Sequence, residues 1–589
     1  MHGADDQAPA TPGTGTAAPA ETPGVDAYDL IVVGSGAGGL TAALTASLLG
    51  LRALVLEHAP VIGGTSARSS GTVWVPDNHH MRDAGIHDDA AESERYLSAL
   101  VGNRGDTRLW RAFIETAPAM LRDLEVRGGL RFKPFMSAPD YRQDVSGAAR
   151  GGRPLEPQAF DGRLLGDDFS RLASPLPELM LFGGMMVTRG EGAALLRADR
   201  SPRSAWLGLR LVARYLVDRL KHRRGTRLVL GNALVARLMM ALKDRGVSIW
   251  TDVRPRRLVE EGGRIVAIDV ERGGHAVRLN TRRGVVLAGG GFPASPVMRA
   301  QHLPKPTPEH TPAAPGCDGS SIALGMAAGG ALGPDGLDNA QWFPSSLYRR
   351  KDGSTAVYPH IVLDRAKPGL IAVDSAGRRF VNEAVSYHEF CRGMYGAHGE
   401  TPCIPAWLVC DRGFIRRYGL GVIRPRTPSL RRYVAEGYLL EGASLSALAQ
   451  KIGVPADTLG ATVERFNGFA RTGVDADFRR GETIYERGNG DPAHGPNPCL
   501  GPIAKPPFYA VAVYPTPLGT SRGLMADPKA RVLRASGDVI PGLYVCGNDM
   551  QSAFGGEYPG AGGQLGQAMT FGWIAAQHTT ETTRDRASA

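Results

Sequence analysis

Three glycines near the start of the chain have the spacing that lets a backbone hold a dinucleotide. Gly34, Gly36 and Gly39 follow a short apolar run at 30–33 and open a helix rich in Ala and Leu. The first glycine permits a tight turn, the second lets the backbone approach a pyrophosphate, and the third lets the helix pack closely on the strand. Glu57 ends a second apolar run, where its carboxylate can accept hydrogen bonds from a ribose. The spacing therefore predicts nucleotide-dependent redox chemistry.

The residues just after Glu57 favour a flavin over a nicotinamide nucleotide. The run 63–66, Gly-Gly-Thr-Ser, resembles a turn that passes along the flavin in FAD enzymes of the fumarate reductase and ketosteroid dehydrogenase group. The resemblance implies FAD as the cofactor. The predicted FAD-binding residues are Gly34, Gly36, Ala37, Gly38, Gly39, Glu57, Gly63, Gly64, Thr65, Ser66, Gly71, Gly290 and Asn548.

A membrane span is the competing interpretation of this region, because residues 30–51 carry no charged side chain. The glycine-rich turn at 34–39 and the acidic end of the next strand at Glu57 argue against it. A span is normally a continuous helix without such a turn. The pattern therefore favours a strand, a turn and a helix.

Two later segments decide what a flavin would oxidise. One is 377–387, Gly-Arg-Arg-Phe-Val-Asn-Glu-Ala-Val-Ser-Tyr, and the other is 555–564, Gly-Gly-Glu-Tyr-Pro-Gly-Ala-Gly-Gly-Gln. Both resemble the 3-ketosteroid dehydrogenases that introduce a Δ1 double bond, and the resemblance extends over most of the chain after its N-terminal tail. It implies that Tyr387 is the base for C-2 and that Tyr558 binds the C-3 carbonyl oxygen. It also implies that the Gly562 N–H is the second donor to that oxygen.

The chemistry of this dehydrogenation suits those residue types. Removing hydrogens from C-1 and C-2 needs a proton acceptor and a hydride acceptor, the latter being flavin N5. Two donors at the C-3 oxygen stabilise the enolate-like charge. A tyrosine base has an ordinary pKa of about 10, so it needs a donor network that takes its proton. The resemblance implies a second tyrosine for this purpose, assigned to Tyr141, although Arg142 and Gln143 follow where the family tends to have Tyr and Pro.

The elements that must position these residues predict an α/β fold, a Rossmann-like FAD-binding domain with an inserted α+β substrate (catalytic) domain. Apolar runs predict strands at 246–250 and 265–270, a strand with a glycine-rich exit at 284–292, and a strand that ends in a turn at 542–548. The predicted divisions are a disordered tail at 1–27, the FAD-binding domain at 28–296 and 505–589, and the substrate domain at 297–504. Within the insertion, Ser444 and Gly453 predict the two ends of a helix, and Pro455 opens the next one.

Composition places few further limits on function. The chain has 589 residues, 43% of them hydrophobic, which is ordinary for an enzyme of several domains. The tail lacks the basic and apolar regions of a signal peptide, and the six cysteines are scattered without metal-binding spacing. These features predict a cytoplasmic protein with reduced thiols. His79 and His80 are adjacent and not one helical turn apart, so no metal site is predicted.

Positive charge is concentrated in one window. Residues 197–227 hold ten Arg or Lys and two Asp, which gives +8 of a total net charge of +10. Inside it an amphipathic helix is predicted over 203–224, with Trp206, Leu209, Ala213, Leu216 and Leu220 at helical spacing. Two interpretations stay open: a helix packed on the body with a solvated basic face, and peripheral contact with an anionic membrane surface. Aromatic residues interleaved with a basic platform are missing, so nucleic acid is not predicted as a partner.

Other functions remain in competition with the Δ1 reaction. A Δ4-(5α)-3-ketosteroid dehydrogenase would form a different double bond with the same groups. A fumarate reductase-type flavoprotein is disfavoured by Tyr387, because those enzymes have a catalytic Arg at about that place. A flavoprotein that carries electrons without proton abstraction would not need Tyr387 and Tyr558, and any tyrosine can simply be a packing residue. The predicted partners are a 3-oxosteroid and an unidentified electron acceptor, a quinone or another oxidant.

Overall fold

The structure, a computed structural model, describes residues 27–195, 201–336 and 338–587. The predicted tail at 1–27 lies outside the described residues except for its last residue, as does part of the basic window, 197–200. The strands are β1 (Tyr28–Val33), β2 (Ala53–Leu56), β3 (Val73–Trp74), β4 (Phe132–Pro134), β5 (Pro154–Pro157), β6 (Phe160–Asp161), β7 (Arg227–Leu228), β8 (Ser248–Trp250), β9 (Val253–Glu261), β10 (Arg264–Arg272), β11 (His275–Leu287), β12 (Ala340–Arg349), β13 (Thr355–Pro359), β14 (Leu370–Val373), β15 (Ala406–Asp411), β16 (Leu440–Gly442), β17 (Phe508–Thr520), β18 (Arg531–Leu533) and β19 (Val539–Val545). The α-helices are α1 (Ala37–Leu48), α2 (Gly64–Arg68), α3 (His79–Asp83), α4 (Ala90–Val101), α5 (Thr107–Val126), α6 (Arg189–Leu195), α7 (Pro202–Arg219), α8 (Leu230–Lys243), α9 (Pro296–His302), α10 (Ser320–Ala327), α11 (Tyr387–His398), α12 (Arg412–Tyr418), α13 (Arg431–Ala435), α14 (Leu445–Ile452), α15 (Ala456–Thr472), α16 (Ile484–Asn489) and α17 (Gly563–Ala587).

The first sheet is built around the apolar run of β1. Its strand order is β18-β19-β11-β1-β2-β8, and β1 is parallel to β2 and to β11, with Leu30 opposite both Ala53 and Gly284. All four residues of β2 are buried, as expected for a parallel strand that is covered on both faces. An antiparallel meander of β9, β10 and β11 extends this sheet. The Rossmann-like arrangement predicted from the sequence is confirmed.

Helix α1 packs between this sheet and the last helix, α17. Its residues from Ala37 to Ala46 are all buried, because small side chains leave little surface between the two helices. The axes approach closely at Gly38 and Gly572, where a Cβ on Gly572 would overlap the Gly38 carbonyl. Among the described helices, none combines the length and the apolar character needed to cross a bilayer.

The second sheet is antiparallel, with the order β13-β12-β17-β15-β14 and with β16 paired to β17. Helices α14 and α15 pack against it through a separate apolar cluster that contains Leu448 and Phe466. The Ser444 side chain caps α14, and Gly453 ends it in the left-handed region, so the predicted ends of this helix are confirmed.

Strand β17 bears on the predicted domain boundary at 505. It begins at Phe508, inside the segment predicted to return to the FAD-binding domain, yet it pairs with β12 and β15 of the second sheet. We propose that the substrate domain includes β17 and that the chain returns to the first sheet after Thr520. A strand pattern alone does not say which sheet receives the strand, because the pairing partner is chosen by tertiary packing.

The basic amphipathic helix predicted over 203–224 is found as α7, which begins at Pro202 and ends at Arg219, five residues earlier than predicted. Leu211 and Tyr215 on its inner face are buried with Met185 in a small apolar cluster of their own. Trp206 and Leu220 on its outer face are 67% and 82% exposed. The helix therefore has one packed face and one face of mixed apolar and basic residues turned to solvent.

Candidate active site

The glycine turn after β1 agrees with the roles predicted for its first and third glycines. Gly34 has φ 104°, and a Cβ there would overlap the Ala288 carbonyl. A Cβ on Gly39 would overlap the carbonyl of Gly34, so only glycine lets α1 lie this close to the strand. Gly36 differs, because its Cβ would have only the Ser66 Oγ nearby, at 3.5 Å. Protein backbone therefore leaves no room for a side chain at Gly34 and Gly39, whereas space remains at Gly36, the glycine predicted to face a pyrophosphate.

Glu57 connects this turn to the loop that follows β2. Its Oε2 accepts the Ser35 N–H at 3.0 Å and the Ser35 hydroxyl, and its Oε1 accepts the Ala59 N–H at 2.8 Å. The carboxylate is therefore held in place at the end of a strand, while its contact with a ribose stays a prediction. The Ala37 N–H at the start of α1 donates to the Ser66 Oγ at 3.0 Å, which joins two of the predicted FAD-binding residues.

The predicted flavin turn starts helix α2 with two glycines in the left-handed region. Gly63 has φ 115° and Gly64 has φ 47°. The Thr65 Oγ1 accepts the Ala314 N–H at 2.9 Å, so the turn lies against the loop after α9. Gly71, with φ 66°, packs where a Cβ would come within 2.6 Å of backbone at the start of α8. These glycines allow close backbone contact, and their binding of a flavin stays a prediction.

A carboxylate that was not identified from the sequence holds the turn after β11. Asp549 is fully buried and accepts the N–H groups of Gly289 and Gly291. The predicted residue Gly290 lies between them with φ 94°, and Asn548 packs beside the same turn. Asp549 directly follows the pair Gly547-Asn548, which comes just after β19. This pair was the signal by which Asp549 could have been found.

These segments fit a dinucleotide cofactor of the FAD type. A Cβ on Gly64 would meet no protein atom within 4 Å, so its backbone, like that of Gly36, is open to a ligand. The start of α1 offers the N-terminal end of a helix, which attracts phosphate. Glu57 would hold the ribose side and the turn at 289–291 borders the same strand ends, where ligands bind in open α/β sheets.

The structure brings the three predicted catalytic tyrosines together. Tyr387 is the first residue of α11, Tyr558 lies in the loop before α17, and Tyr141 lies in the loop between β4 and β5. The hydroxyls of Tyr141 and Tyr387 are hydrogen-bonded at 2.7 Å. The ring of Tyr558 is centred 5.5 Å from that of Tyr387 and 5.4 Å from that of Tyr141. Residues from three distant parts of the chain therefore form one cluster.

Burial makes all three hydroxyls weak acids. It raises the pKa of Tyr387 and of Tyr141 well above the usual value, and it raises the pKa of Tyr558 to about 12. The hydrogen bond to Tyr387 acts in the opposite direction on Tyr141 and lowers its pKa. All three are therefore protonated at neutral pH. Tyr387 can accept a proton only if its own proton moves to Tyr141 in the same event and Tyr141 gives up its hydroxyl proton in turn.

Gly562 has the free backbone donor that its predicted role needs. Its φ of 93° lies in the left-handed region, and a Cβ there would overlap the Thr72 carbonyl. Among the described residues, none accepts a hydrogen bond from the Gly562 N–H. Its own carbonyl accepts the Trp74 N–H at 3.1 Å, which fixes the orientation of the peptide.

The loop that carries Tyr558 is tied to Tyr141 through one carbonyl. Pro559 O accepts the Tyr141 N–H at 3.0 Å and the Tyr96 hydroxyl at 2.6 Å. Phe343 and Tyr485 complete the aromatic cluster, with ring centres 4.5 Å from Tyr387 and 5.1 Å from Tyr141 respectively. Sequence reasoning missed Phe343, Tyr485 and Tyr96, because none lies in a motif and only the tertiary fold brings them here.

Charged side chains next to the tyrosines form a separate layer. Glu557 is contacted by Arg104 and Arg392, each at 2.8 Å, and Arg392 also contacts Asp338 at 2.8 Å. His388 follows Tyr387 and is buried, and burial lowers its pKa to about 3, so the ring is uncharged. Its Nδ1 accepts the Trp342 N–H at 3.3 Å. These contacts fix Glu557 and His388, the sequence neighbours of Tyr558 and Tyr387.

Comparison with known proteins identifies relatives that match nearly the whole chain. The model of the FAD binding domain family matches residues 29–565. A 3-oxosteroid 1-dehydrogenase of Mycobacterium tuberculosis is 37% identical over 573 residues, which cover 95% of this chain and 99% of the relative. A 4-oxocyclohexanecarboxylate 2-dehydrogenase of Sinomonas cyclohexanicum is 36% identical over 567 residues, 93% of this chain and 92% of the relative.

A solved structure extends the agreement to three dimensions. The 3-ketosteroid Δ1-dehydrogenase of Sterolibacterium denitrificans, in complex with 1,4-androstadiene-3,17-dione, superposes with a TM-score of 0.88 at 39% identity. The match covers 94% of this chain and 99% of the other. FAD is the cofactor that this fold and these turns imply, and flavin-dependent dehydrogenation is the chemistry of its relatives. The chain belongs to the FAD-binding flavoprotein family and, within it, to the 3-oxosteroid 1-dehydrogenases.

Proposed function

We propose that this protein dehydrogenates a 3-oxosteroid between C-1 and C-2. The observation that carries the proposal is the hydrogen-bonded pair Tyr141–Tyr387 beside Tyr558 in an apolar cluster. The 3-oxosteroid 1-dehydrogenase activity for which the mycobacterial relatives are named, and the steroid bound in the Sterolibacterium enzyme, support the same substrate class.

The tyrosines and Gly562 divide the reaction between them. Tyr387 takes the proton from C-2 and passes its own to Tyr141 through their 2.7 Å hydrogen bond, while Tyr141, which is only partly buried, releases its own hydroxyl proton to solvent. Tyr558 and the Gly562 N–H donate to the C-3 oxygen, and both donors strengthen as negative charge develops there. Neither has to rearrange for this, because the Pro559 carbonyl and the Trp74 N–H already hold the loop. FAD, when bound, supplies the hydride acceptor.

A smaller cyclic ketone is the second candidate substrate. The Sinomonas relative acts, by its name, on 4-oxocyclohexanecarboxylate, which has a ring carbonyl like that of a 3-oxosteroid. The cluster around Tyr387 supports the steroid, because its other members include the apolar side chains of Phe343, Ile361 and Leu518. Burial of an anionic carboxylate against such side chains costs free energy unless a cation or donors meet it.

One anaerobic experiment separates the candidate reactions. The oxidised FAD-loaded protein is mixed with androst-4-ene-3,17-dione, with its 5α-reduced analogue, with 4-oxocyclohexanecarboxylate and with succinate, and flavin bleaching is followed. We expect fast bleaching with the first steroid and a new double bond at C-1. Bleaching by succinate alone, or a Δ4 double bond formed from the 5α-steroid without Δ1 product, contradicts the proposal. Reoxidation of the bleached protein by a quinone tests the class of electron acceptor.

We infer that the outer face of α7 contacts an anionic membrane surface, where an apolar substrate would be dissolved. Trp206, Leu209 and Leu216 are exposed on the same helix as Arg203 and Arg210. Apolar area and basic charge on one face together support binding to anionic lipid. The packed inner face of α7 accounts for the helix itself and leaves these exposed apolar side chains unexplained.

Substitution is a better test of this surface than deletion, because deletion removes the packed face as well. We expect Trp206→Ser with Leu209→Ser to weaken co-sedimentation with vesicles that contain phosphatidylserine, while flavin content stays unchanged. The double variant Val126→Ser with Val474→Ser removes exposed apolar side chains elsewhere and serves as the matched control. Equal vesicle binding by the parent and the Trp206/Leu209 variant means that α7 is only a packed helix with a solvated face.

A further inference from the structure

Two histidines and a glutamate converge at a place that the proposed reaction does not use. His79 and His80 open helix α3, and Glu125 lies in the last turn of α5. The Nε2 atoms of His79 and His80 are each 2.9 Å from the same oxygen, Glu125 Oε2. Their adjacency in the sequence predicted no metal site, because neighbouring helical residues do not face each other. Here the ring centres are nevertheless only 4.2 Å apart.

The separations are close to those of a metal-bound set. Zn²⁺ binds imidazole nitrogen and carboxylate oxygen at about 2.0–2.2 Å, which puts neighbouring ligand atoms of a tetrahedron about 3.3 Å apart. Each Nε2–Oε2 separation of 2.9 Å needs to open by only a few tenths of an ångström to admit the ion, and the three side chains offer ligand atoms that all lie within 4.8 Å of one another. Two His and one Glu leave the fourth position for water.

The surroundings hold these side chains in place without a metal. The other carboxylate oxygen, Glu125 Oε1, accepts the Phe132 N–H at 3.1 Å, which fixes the plane of the carboxylate. The Asn78 side chain accepts the Met81 N–H at 3.0 Å and donates to the Val75 carbonyl at 2.7 Å, so the start of α3 is anchored. Such outer contacts raise metal affinity because they orient the ligands in advance.

Access and charge decide which ion can bind at these three side chains. The three side chains are between 11% and 24% exposed, so a hydrated ion can reach them from solvent. Arg122 lies one turn before Glu125 and opposes a cation through its charge. Binding there therefore depends on ligand bonds and not on net charge, which favours a transition metal over Ca²⁺ or Mg²⁺.

We propose that His79, His80 and Glu125 bind one Zn²⁺ ion that fastens α3 to α5. We expect its effect to be on stability, because α5 also carries Phe113, whose ring stacks on Trp74 with ring centres 5.8 Å apart. Trp74 in turn contacts Gly562 through its backbone. Zinc bound here stabilises the packing of Phe113, Trp74 and Gly562 next to the proposed substrate site and does not touch the reacting atoms.

The test uses tag-free, FAD-loaded protein stripped of metal with a chelator and dialysed against buffered Zn²⁺. We expect one zinc per chain by elemental analysis, and a rise in melting temperature that grows with zinc concentration, as binding to the folded state requires. His80→Ala and Glu125→Gln should each weaken zinc binding by more than about tenfold, since loss of mere outer contacts already costs that much. His87→Ala, which removes a nearby exposed histidine, is the matched control and should bind zinc like the parent.

Several outcomes overturn the proposal. One is binding of less than one zinc per chain at concentrations that saturate known zinc proteins. Another is equal zinc binding by the parent and the His80→Ala variant, which assigns the metal to other histidines. Flavin content and melting temperature without zinc show whether a variant has folded. If His80→Ala has not, His79→Asn replaces one ligand with a side chain of similar polarity and decides the question in its place.

Discussion

Removal of the Tyr387 hydroxyl is the sharpest test of the proposed reaction. Phe at this position keeps the ring, which packs edge-on against Phe343 with centres 4.5 Å apart. The loss of one oxygen leaves the Tyr141 hydroxyl without its 2.7 Å partner, which should lower the free energy of unfolding by about 1–3 kcal/mol. Flavin and steroid should still bind, because neither contact depends on that oxygen.

The rate of flavin reduction by Tyr387→Phe should fall because the base is lost, and not because the fold is less stable. A positioned general base contributes about 10²–10⁴ in rate, or about 2.7–5.4 kcal/mol of transition-state free energy. Tyr558→Phe should differ in kind, because it removes one of two donors to the C-3 oxygen and leaves the Gly562 N–H. Loss of one such donor costs about 10²–10³ in rate.

The two variants are distinguished by proton exchange as well as by rate. Stopped-flow mixing with steroid under anaerobic conditions measures flavin reduction, and deuterium uptake at C-2 in heavy water measures proton removal alone. We expect Tyr387→Phe to lose both and Tyr558→Phe to keep slow exchange. Tyr485→Phe, a buried ring in contact with Tyr141 that has no part in the reaction, is the control and should keep most of the activity. Parental flavin reduction in both Tyr387→Phe and Tyr558→Phe would falsify the assigned roles.

Three further predictions follow from the cofactor turns and from burial. Glu57→Ala should weaken FAD binding by about 1–3 kcal/mol, or about 5- to 150-fold, by equilibrium dialysis, and an unchanged dissociation constant means that the ribose contact lies elsewhere. Gly39→Ala should lower the unfolding free energy of the apoprotein by about 1–3 kcal/mol, because its Cβ overlaps backbone. Gly36→Ala should leave the unfolding free energy nearly unchanged and should weaken FAD binding. Equal unfolding free energies of the two variants in urea titration would contradict this difference. Burial raises the pKa of Tyr558 to about 12, so its contribution to stability is complete below pH 10 and is lost as the pH rises from 10 to 12. Over that interval the free energy of unfolding of the parent should fall by up to about 2–3 kcal/mol more than that of Tyr558→Phe. Identical dependence of the melting temperature on pH in the two proteins would refute this prediction.

Local patterns predicted the parts of this protein that depend on neighbours in sequence. The turn at Gly34 and Gly39 follows from a strand, a short glycine run and a helix, and the ends of α14 follow from Ser444 and Gly453. Each of these is decided by steric and hydrogen-bonding preferences within a few residues. The grouping of Tyr141, Tyr387 and Tyr558 was reached through resemblance to a family, since nothing in their own spacing implies that they meet.

Contacts between distant segments could not be read in the same way. Strand β17 has the same sequence whichever sheet it joins, so a strand pattern could not decide on which side of the predicted boundary at 505 it belongs. Phe343 and Tyr485 are ordinary aromatic residues until the fold brings them to the tyrosines. His79 and His80 were judged from their own spacing alone, while their partner Glu125 is 45 residues or more away. A hydrophobic period of two or 3.6 residues shows which side of a strand or helix is apolar. It does not show which other segment packs against that side.

The packing of α1 against α17 has a consequence for how the protein is made. Translation completes α1 at Leu48, but its close-packed partner begins only at Gly563. Throughout most of synthesis the nascent chain must therefore keep an apolar helix face uncovered, and contacts of such long sequence separation form slowly. Tyr558 and Gly562 emerge from the ribosome at that same late stage. A prematurely terminated chain that stops before them lacks α17 and both groups that we propose hold the C-3 oxygen, so we expect it to be inactive.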